Sequence, residues 1–107
     1  MAISITKANY QQEVLDSKIP VVMDVFAVWC GPCQYMKPIF DSLEKEYDGV
    51  YKFVVLDVEE DRALSTELGI TSIPTFLFFN KGKLVAKELG SVSITAFKDH
   101  LKKYFAQ

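Results

Sequence analysis

Cysteine is scarce in this chain, with only Cys30 and Cys33 in 107 residues. A framework of several disulfides is therefore excluded, and none is needed, since a chain of this length buries about two thirds of the surface it exposes when unfolded. Histidine occurs once, as His100, so no imidazole cluster is available to hold a metal. Charge of one sign is also lacking: 12 Lys and Arg stand against 14 Asp and Glu, a formal net charge of -2, with neither sign clustered. That balance argues against nucleic acid or a membrane surface as a partner. No apolar run approaches the ~20 residues of a transmembrane helix. The first twenty residues carry Lys7, Glu13, Asp16 and Lys18 and contain no continuous apolar stretch, so a secretory signal is not expected and a cytoplasmic location is. Low-complexity tracts, internal repeats and linkers are missing too, which leaves a single domain over residues 1–107.

Hydrophobic periodicity divides the chain into strands and helices. Residues 3–5 alternate as a short strand, and Thr6 caps a helix running to about Ser17 with Tyr10, Val14 and Leu15 inward. Lys18-Ile19-Pro20 breaks that helix. Residues 21–28 are then apolar except at Asp24, the pattern of a strand buried on both faces. Met36, Ile39, Phe40, Leu43 and Tyr47 recur at helical spacing, in a helix that Pro38 should kink and Gly49 should end. A third strand over 51–58 leads to a short helix with Ala63, Leu64 and Leu68 inward and Gly69 as its stop. Residues 75–79 and 83–89 flank Asn80-Lys81-Gly82 and predict an antiparallel hairpin, its second strand at an edge. Ser93 or Thr95 caps a last helix that buries Ile94, Phe97, Leu101 and Tyr104. The order βαβαβαββα belongs to the α/β class, parallel in its first half.

Both cysteines stand where the buried strand gives way to helix, in Trp29-Cys30-Gly31-Pro32-Cys33. Side chains at i and i+3 of a helix are neighbours, about 5–6 Å apart at Cβ, so a small relaxation brings them within disulfide range. As a structural staple the pair is poor, because so small a loop removes little entropy from the unfolded chain. As half of a zinc site it lacks partners, His100 being the one other soft ligand. Redox chemistry is the reading that remains. Cys30 would open the helix, where unpaired N–H groups and the macrodipole favour a thiolate. That thiolate attacks a disulfide, and Cys33 resolves the mixed disulfide.

Asp24 is the other informative residue. An ionised carboxylate in so apolar a run costs several kcal/mol unless paired, and burial should raise its pKa toward neutrality. A carboxyl poised there can take or give the proton of Cys33, directly or through water. The alternative is a hydrogen-bonded core aspartate with no part in chemistry.

Trp29 to Cys33, the isolated Asp24 six positions before Cys30, Pro38, Ile73-Pro74-Thr75 and Gly90 together resemble the thioredoxin family. The likeness covers the whole chain in order, and Gly-Pro between the cysteines is the family's own spacer. It implies the thioredoxin fold, a five-stranded mixed sheet flanked by four helices. It also implies a monomer that binds no cofactor and reduces protein disulfides, drawing electrons from NADPH through thioredoxin reductase. By the same resemblance Ile73-Pro74 is the cis-proline loop lying against the disulfide, and Ile73 can pair with an extended substrate segment. Trp29, Ile73, Pro74 and Gly90 would contact substrate, with Gly31, Pro32, Gly69, Ile70 and Ser72 on the rim. Turn and cap chemistry accounts equally well for Gly69 and Gly90. Two positions depart from the family: Val55 stands where many bacterial members have a lysine near the buried aspartate, and Phe26 where many have a second tryptophan. His100 is expected to be a solvated helix residue. An extracytoplasmic oxidant or isomerase is the rival within the enzyme class, and a non-catalytic binding module the rival outside it.

Overall fold

The computed structural model describes residues 2–106, so the outermost positions of the expected 1–107 domain, Met1 and Gln107, lie outside the described residues. Five strands form one mixed sheet: β1 (Ile3–Ser4), β2 (Val21–Phe26), β3 (Lys52–Asp57), β4 (Thr75–Asn80) and β5 (Lys83–Leu89), in the spatial order β1-β3-β2-β4-β5. β3 pairs parallel with β1 and β2, and β4 pairs antiparallel with β2 and β5. The helices are α1 (Lys7–Tyr10), α2 (Gly31–Glu46), α3 (Arg62–Glu67) and α4 (Ile94–Tyr104). The expected order and five-stranded mixed sheet are those observed, and β2 in the middle is buried along nearly its whole length.

Because side chains alternate across a strand, β2 divides its residues between two cores. Val21, Met23 and Val25 join Ile5, Val14 and Leu64 on one face. Val22 joins Met36, Phe40 and Leu43 of α2 and Phe97 and Leu101 of α4 on the other. Aromatic rings fill this second core, where Phe97 meets Phe76 edge-on at a centroid distance of 4.9 Å and Phe40 at 6.2 Å. Asp24 alternates with Val25 and so belongs to the α2 face, within an otherwise apolar layer.

The ends of the elements follow from capping and turn chemistry. Thr6 caps α1 in a reciprocal pair with Asn9, Asp61 caps α3 by accepting from Leu64 N–H, and Ser93 caps α4. Lys81 and Gly82 both have positive φ, 54° and 76°, as the two-residue hairpin turn between β4 and β5 requires.

Several boundaries and faces differ from the sequence reading. The first helix is not one α-helix to Ser17: after Tyr10 it widens into a π-helical turn over Gln11–Leu15, and Lys52 Nζ donates to the Glu13 carbonyl there at 2.9 Å. β2 stops at Phe26, where its partner β3 also ends at Asp57, so Val28 leaves the sheet and is exposed. α2 ends at Glu46, and Gly49 falls in the turn beyond it. Ala63 is exposed while Ser65 is buried beside Leu64, because a six-residue helix has room for one narrow inward face. Ile94 is exposed, since it sits at the first position of α4, before the helix reaches the sheet. His100 is half-buried rather than solvated: its ring stacks on Tyr104, and Nε2 lies 3.7 Å from Glu88 Oε2.

Phe97 touches the rings that hold α4 and α2 to the sheet. Phe97→Ala should lower the unfolding free energy by about 3–5 kcal/mol in urea denaturation. A loss below about 1 kcal/mol would mean that the ring cluster does not secure α4.

Candidate active site

The site begins where β2 runs out. Ala27, Val28 and Trp29 turn the chain, and Gln34 Nε2 reaches back from α2 to donate to the Val28 carbonyl at 2.6 Å. Cys30 then occupies the N-cap of α2 with extended backbone (φ -86°, ψ 115°), and its Sγ accepts from Cys33 N–H at 3.2 Å. One of the helix's unpaired donors is thus aimed at sulfur. Pro32 suits the first turn, where its missing N–H costs nothing. Cys30 and Cys33 are joined as a disulfide with Cα atoms 5.2 Å apart, within the ordinary range for such a bond. The two residues are similarly enclosed, 6 % and 4 % exposed, so surroundings distinguish them more than depth does.

Cys30 faces the loop before β4. The Ile73–Pro74 peptide is cis, and the Ile73 carbonyl oxygen lies 4.0 Å from Cys30 Sγ. This loop is braced from both sides: Thr75 Oγ1 donates to the Ser72 carbonyl at 2.6 Å, and Gly90 N–H donates to the Pro74 carbonyl at 2.9 Å. Gly90 has φ +88°, a left-handed conformation that suits glycine. Trp29, Glu59, Arg62, Ile70, Ser72 and Ile73 are among the residues lining an open groove of about 400 Å³. Trp29 is 68 % exposed and therefore no core residue, and its Nε1 donates to Glu59 Oε2 at 2.9 Å. Gly31 and Pro32 are exposed in the first turn of α2. Gly69 takes no part in the groove, and its carbonyl accepts from Lys87 Nζ at 3.3 Å.

Cys33 faces the other way, into a cleft of about 420 Å³ that it shares with Asp24, Phe26, Phe40 and Val55. Asp24 is 4 % exposed, and its Oδ1 has no hydrogen-bond partner among the described residues. Burial pushes the carboxyl up to about 7, with the Lys37 ammonium pulling it back down and the Asp41 carboxylate pushing it up. Val55 is the register partner of Asp24 across the β2–β3 ladder, so β3 supplies no cation there.

The structure brings Cys30, Cys33, Asp24, Trp29, Ile73, Pro74 and Gly90 into one region at the end of the sheet where β2 and β3 finish. Sequence reading missed Glu59, which is 30 positions from the Trp29 it holds and has no local signal. It also missed Lys37 and Asp41, although their spacing from Cys33 at i+4 and i+8 was visible as one helical row.

What this arrangement can do chemically is exchange a disulfide: it pairs two cysteines at a helix start, with an exposed groove beside one and a buried acid beside the other. A family model described as Thioredoxin matches residues 1–103. The chain is 37% identical over 103 residues to "Thioredoxin 1" of Nostoc sp., covering 96% of each chain. To "Thioredoxin" of Synechocystis sp. it is 37% identical over 100 residues, covering 94% of each. To "Thioredoxin" of Rickettsia felis it is 35% identical over 103 residues, covering 96% of this chain and 98% of that one. A helix-opening cysteine pair on a five-stranded mixed sheet, matched along almost all its length by these relatives, makes this chain a member of the thioredoxin family and a thiol–disulfide oxidoreductase.

Proposed function

We propose that this protein is a cytoplasmic, monomeric reductant of protein disulfides. The observation that carries this reading is the placement of Cys30 Sγ at the N-cap of α2, next to the Ile73 carbonyl and the open groove. An unpaired helix donor and the positive end of the macrodipole stabilise a thiolate at Cys30 once the pair is reduced. An extended substrate segment laid along the Ile73–Pro74 loop, with Trp29 and Gly90 as flanking contacts, would bring its disulfide to that sulfur.

The Cys30 thiolate attacks one substrate sulfur, forming a mixed disulfide and releasing the other as a thiolate. Cys33 then loses its proton to Asp24 and attacks Cys30 Sγ, which expels the second substrate thiolate. The protein ends as the Cys30–Cys33 disulfide and the substrate as a dithiol, so two electrons have moved from protein to substrate. Asp24 suits the proton transfer because its carboxyl, held near neutrality, is present in both forms at the pH of a cytoplasm. Regeneration requires two electrons from outside. Family membership supports thioredoxin reductase as their source, with NADPH as the ultimate donor. No cofactor bound to this chain is required for either step.

Mutation separates the two cysteines and separates catalysis from mere binding. Wild-type protein should accelerate reduction of insulin by dithiothreitol; a pure binding module gives no acceleration. Cys33→Ser should accumulate mixed disulfide on non-reducing gels and Cys30→Ser should not, and the reverse pattern would overturn the order of attack.

Asp24 adds a dependence on pH. Its folded value of about 7 lies above the ~3.9 of an unfolded aspartate, so the folded state holds a proton that the unfolded state releases. The stability tied to that proton is complete below about pH 4, falls as pH rises through 7, and by then is lower by about 4 kcal/mol. Asp24→Asn abolishes this loss. Its gain in stability should be on the order of 1–4 kcal/mol at pH 8 and much smaller near pH 4, in denaturant unfolding at both, while disulfide exchange slows. A gain independent of pH, or a less stable mutant of full activity, would remove Asp24 from the role.

A further inference from the structure

The cleft behind the disulfide joins a buried acid at one end to an exposed ion pair at the other. Asp24 forms its floor, almost wholly enclosed and with Oδ1 unpartnered among the described residues. Lys37 and Asp41 also line it, with side chains 77% and 50% exposed and Nζ 3.8 Å from Oδ2. Cys33, Lys37 and Asp41 follow one another at i, i+4 and i+8, a single row along α2, so the helix that carries the resolving cysteine also carries both charges. Other elements add no charge. The cleft-lining residues of β2 and the turn after it are apolar except Asp24, β3 contributes Val55, and the β4 neighbour of Asp24 is Phe76. Among the described residues lining the cleft, Lys37 is the one cation and Asp41 the one carboxylate besides Asp24.

We propose that Lys37 and Asp41 are positioning residues for the exchange of a proton between Asp24 and solvent through this cleft. This rests on the reading of Asp24 as the group that accepts the Cys33 proton. The proton leaves Cys33 Sγ as that sulfur bonds to Cys30, rests on the Asp24 carboxyl, and must pass to water before the next cycle. The cleft joins Asp24 to the exposed Lys37 and Asp41. Lys37 favours the ionised carboxyl and so the release of the proton, and Asp41 opposes it, the directions in which they act on Asp24. At 3.8 Å the two charges largely offset each other at a distance, so removing either unmasks the other. Both are exposed, so their effect is screened by salt, unlike the burial that dominates at Asp24.

The test is the titration of the Asp24 carboxyl, followed by carbon NMR in the oxidised full-length protein, where no thiol titrates and no turnover is involved. Lys37→Gln should move its inflection up by roughly half a pH unit, the scale expected of one well-solvated charge lining the same cleft. Asp41→Asn should move it down by a similar amount, the double variant should return close to wild type, and high salt should shrink both shifts. Inflections unmoved in both single variants, or moved in the same direction, would overturn the proposal. Failure of the underlying reading is separately visible: Asp24→Asn would then leave the pH profile of insulin reduction unchanged whichever way the titration moves, and the proposal would fall with it.

Discussion

The amide of Cys33 donates to the sulfur of Cys30 at 3.2 Å, and much of the molecule is arranged so that this contact occurs at the end of β2. α2 could begin anywhere its propensity allowed. Its position is fixed by Met36, Phe40 and Leu43, which anchor it to the same sheet face as Val22. The N-cap therefore falls just beyond the end of a strand that cannot slide, since Val21 to Val25 are paired on both sides. A cap that is usually an oxygen is here a sulfur, and the sulfur is the reactive atom.

The other constraint is electrostatic. One carboxyl is held in an aromatic and aliphatic layer with no partner for Oδ1 among the described residues, which is costly to the fold. With Val55 rather than a cation opposite it on β3, the positive charge lining its cleft comes from α2, the element that also carries Cys33. Fold and chemistry thus meet in one helix: its buried face packs, its first turn holds the disulfide, and its next two turns bear the charges around the acid.

Most of this is legible in the sequence. The periods of two and 3.6 separated strands from helices, and the spacing of Cys30 and Cys33 at a strand-to-helix boundary pointed to redox chemistry. Short elements were less legible. α3 is too brief for its apolar spacing to define a face, which is why Ala63 and Ser65 exchanged roles. In the π-helical turn the Glu13 carbonyl accepts from Lys52, 39 positions away, and no local pattern announces that contact. The cis bond before Pro74 has no signature in composition either, and family resemblance supplied it. The partners of Trp29 and Asp24 depend on which loops and helix rows meet in space.

At the far margin of the sheet, β5 has only one neighbour, so its outer row of amides and carbonyls is left open to another chain. Leu84, Val85 and Leu89 are exposed along it, an adhesive combination for any protein at high concentration. Lys83 and Lys87 stand exposed on the same strand, and a register shift between Phe78 and Phe79 interrupts its pairing with β4. A molecule whose chemistry calls for offering backbone to strangers at Ile73 carries, on the edge strand, ammonium groups and an irregular ladder that discourage uninvited strand addition. Its colloidal behaviour, more than its catalysis, hangs on those two lysines.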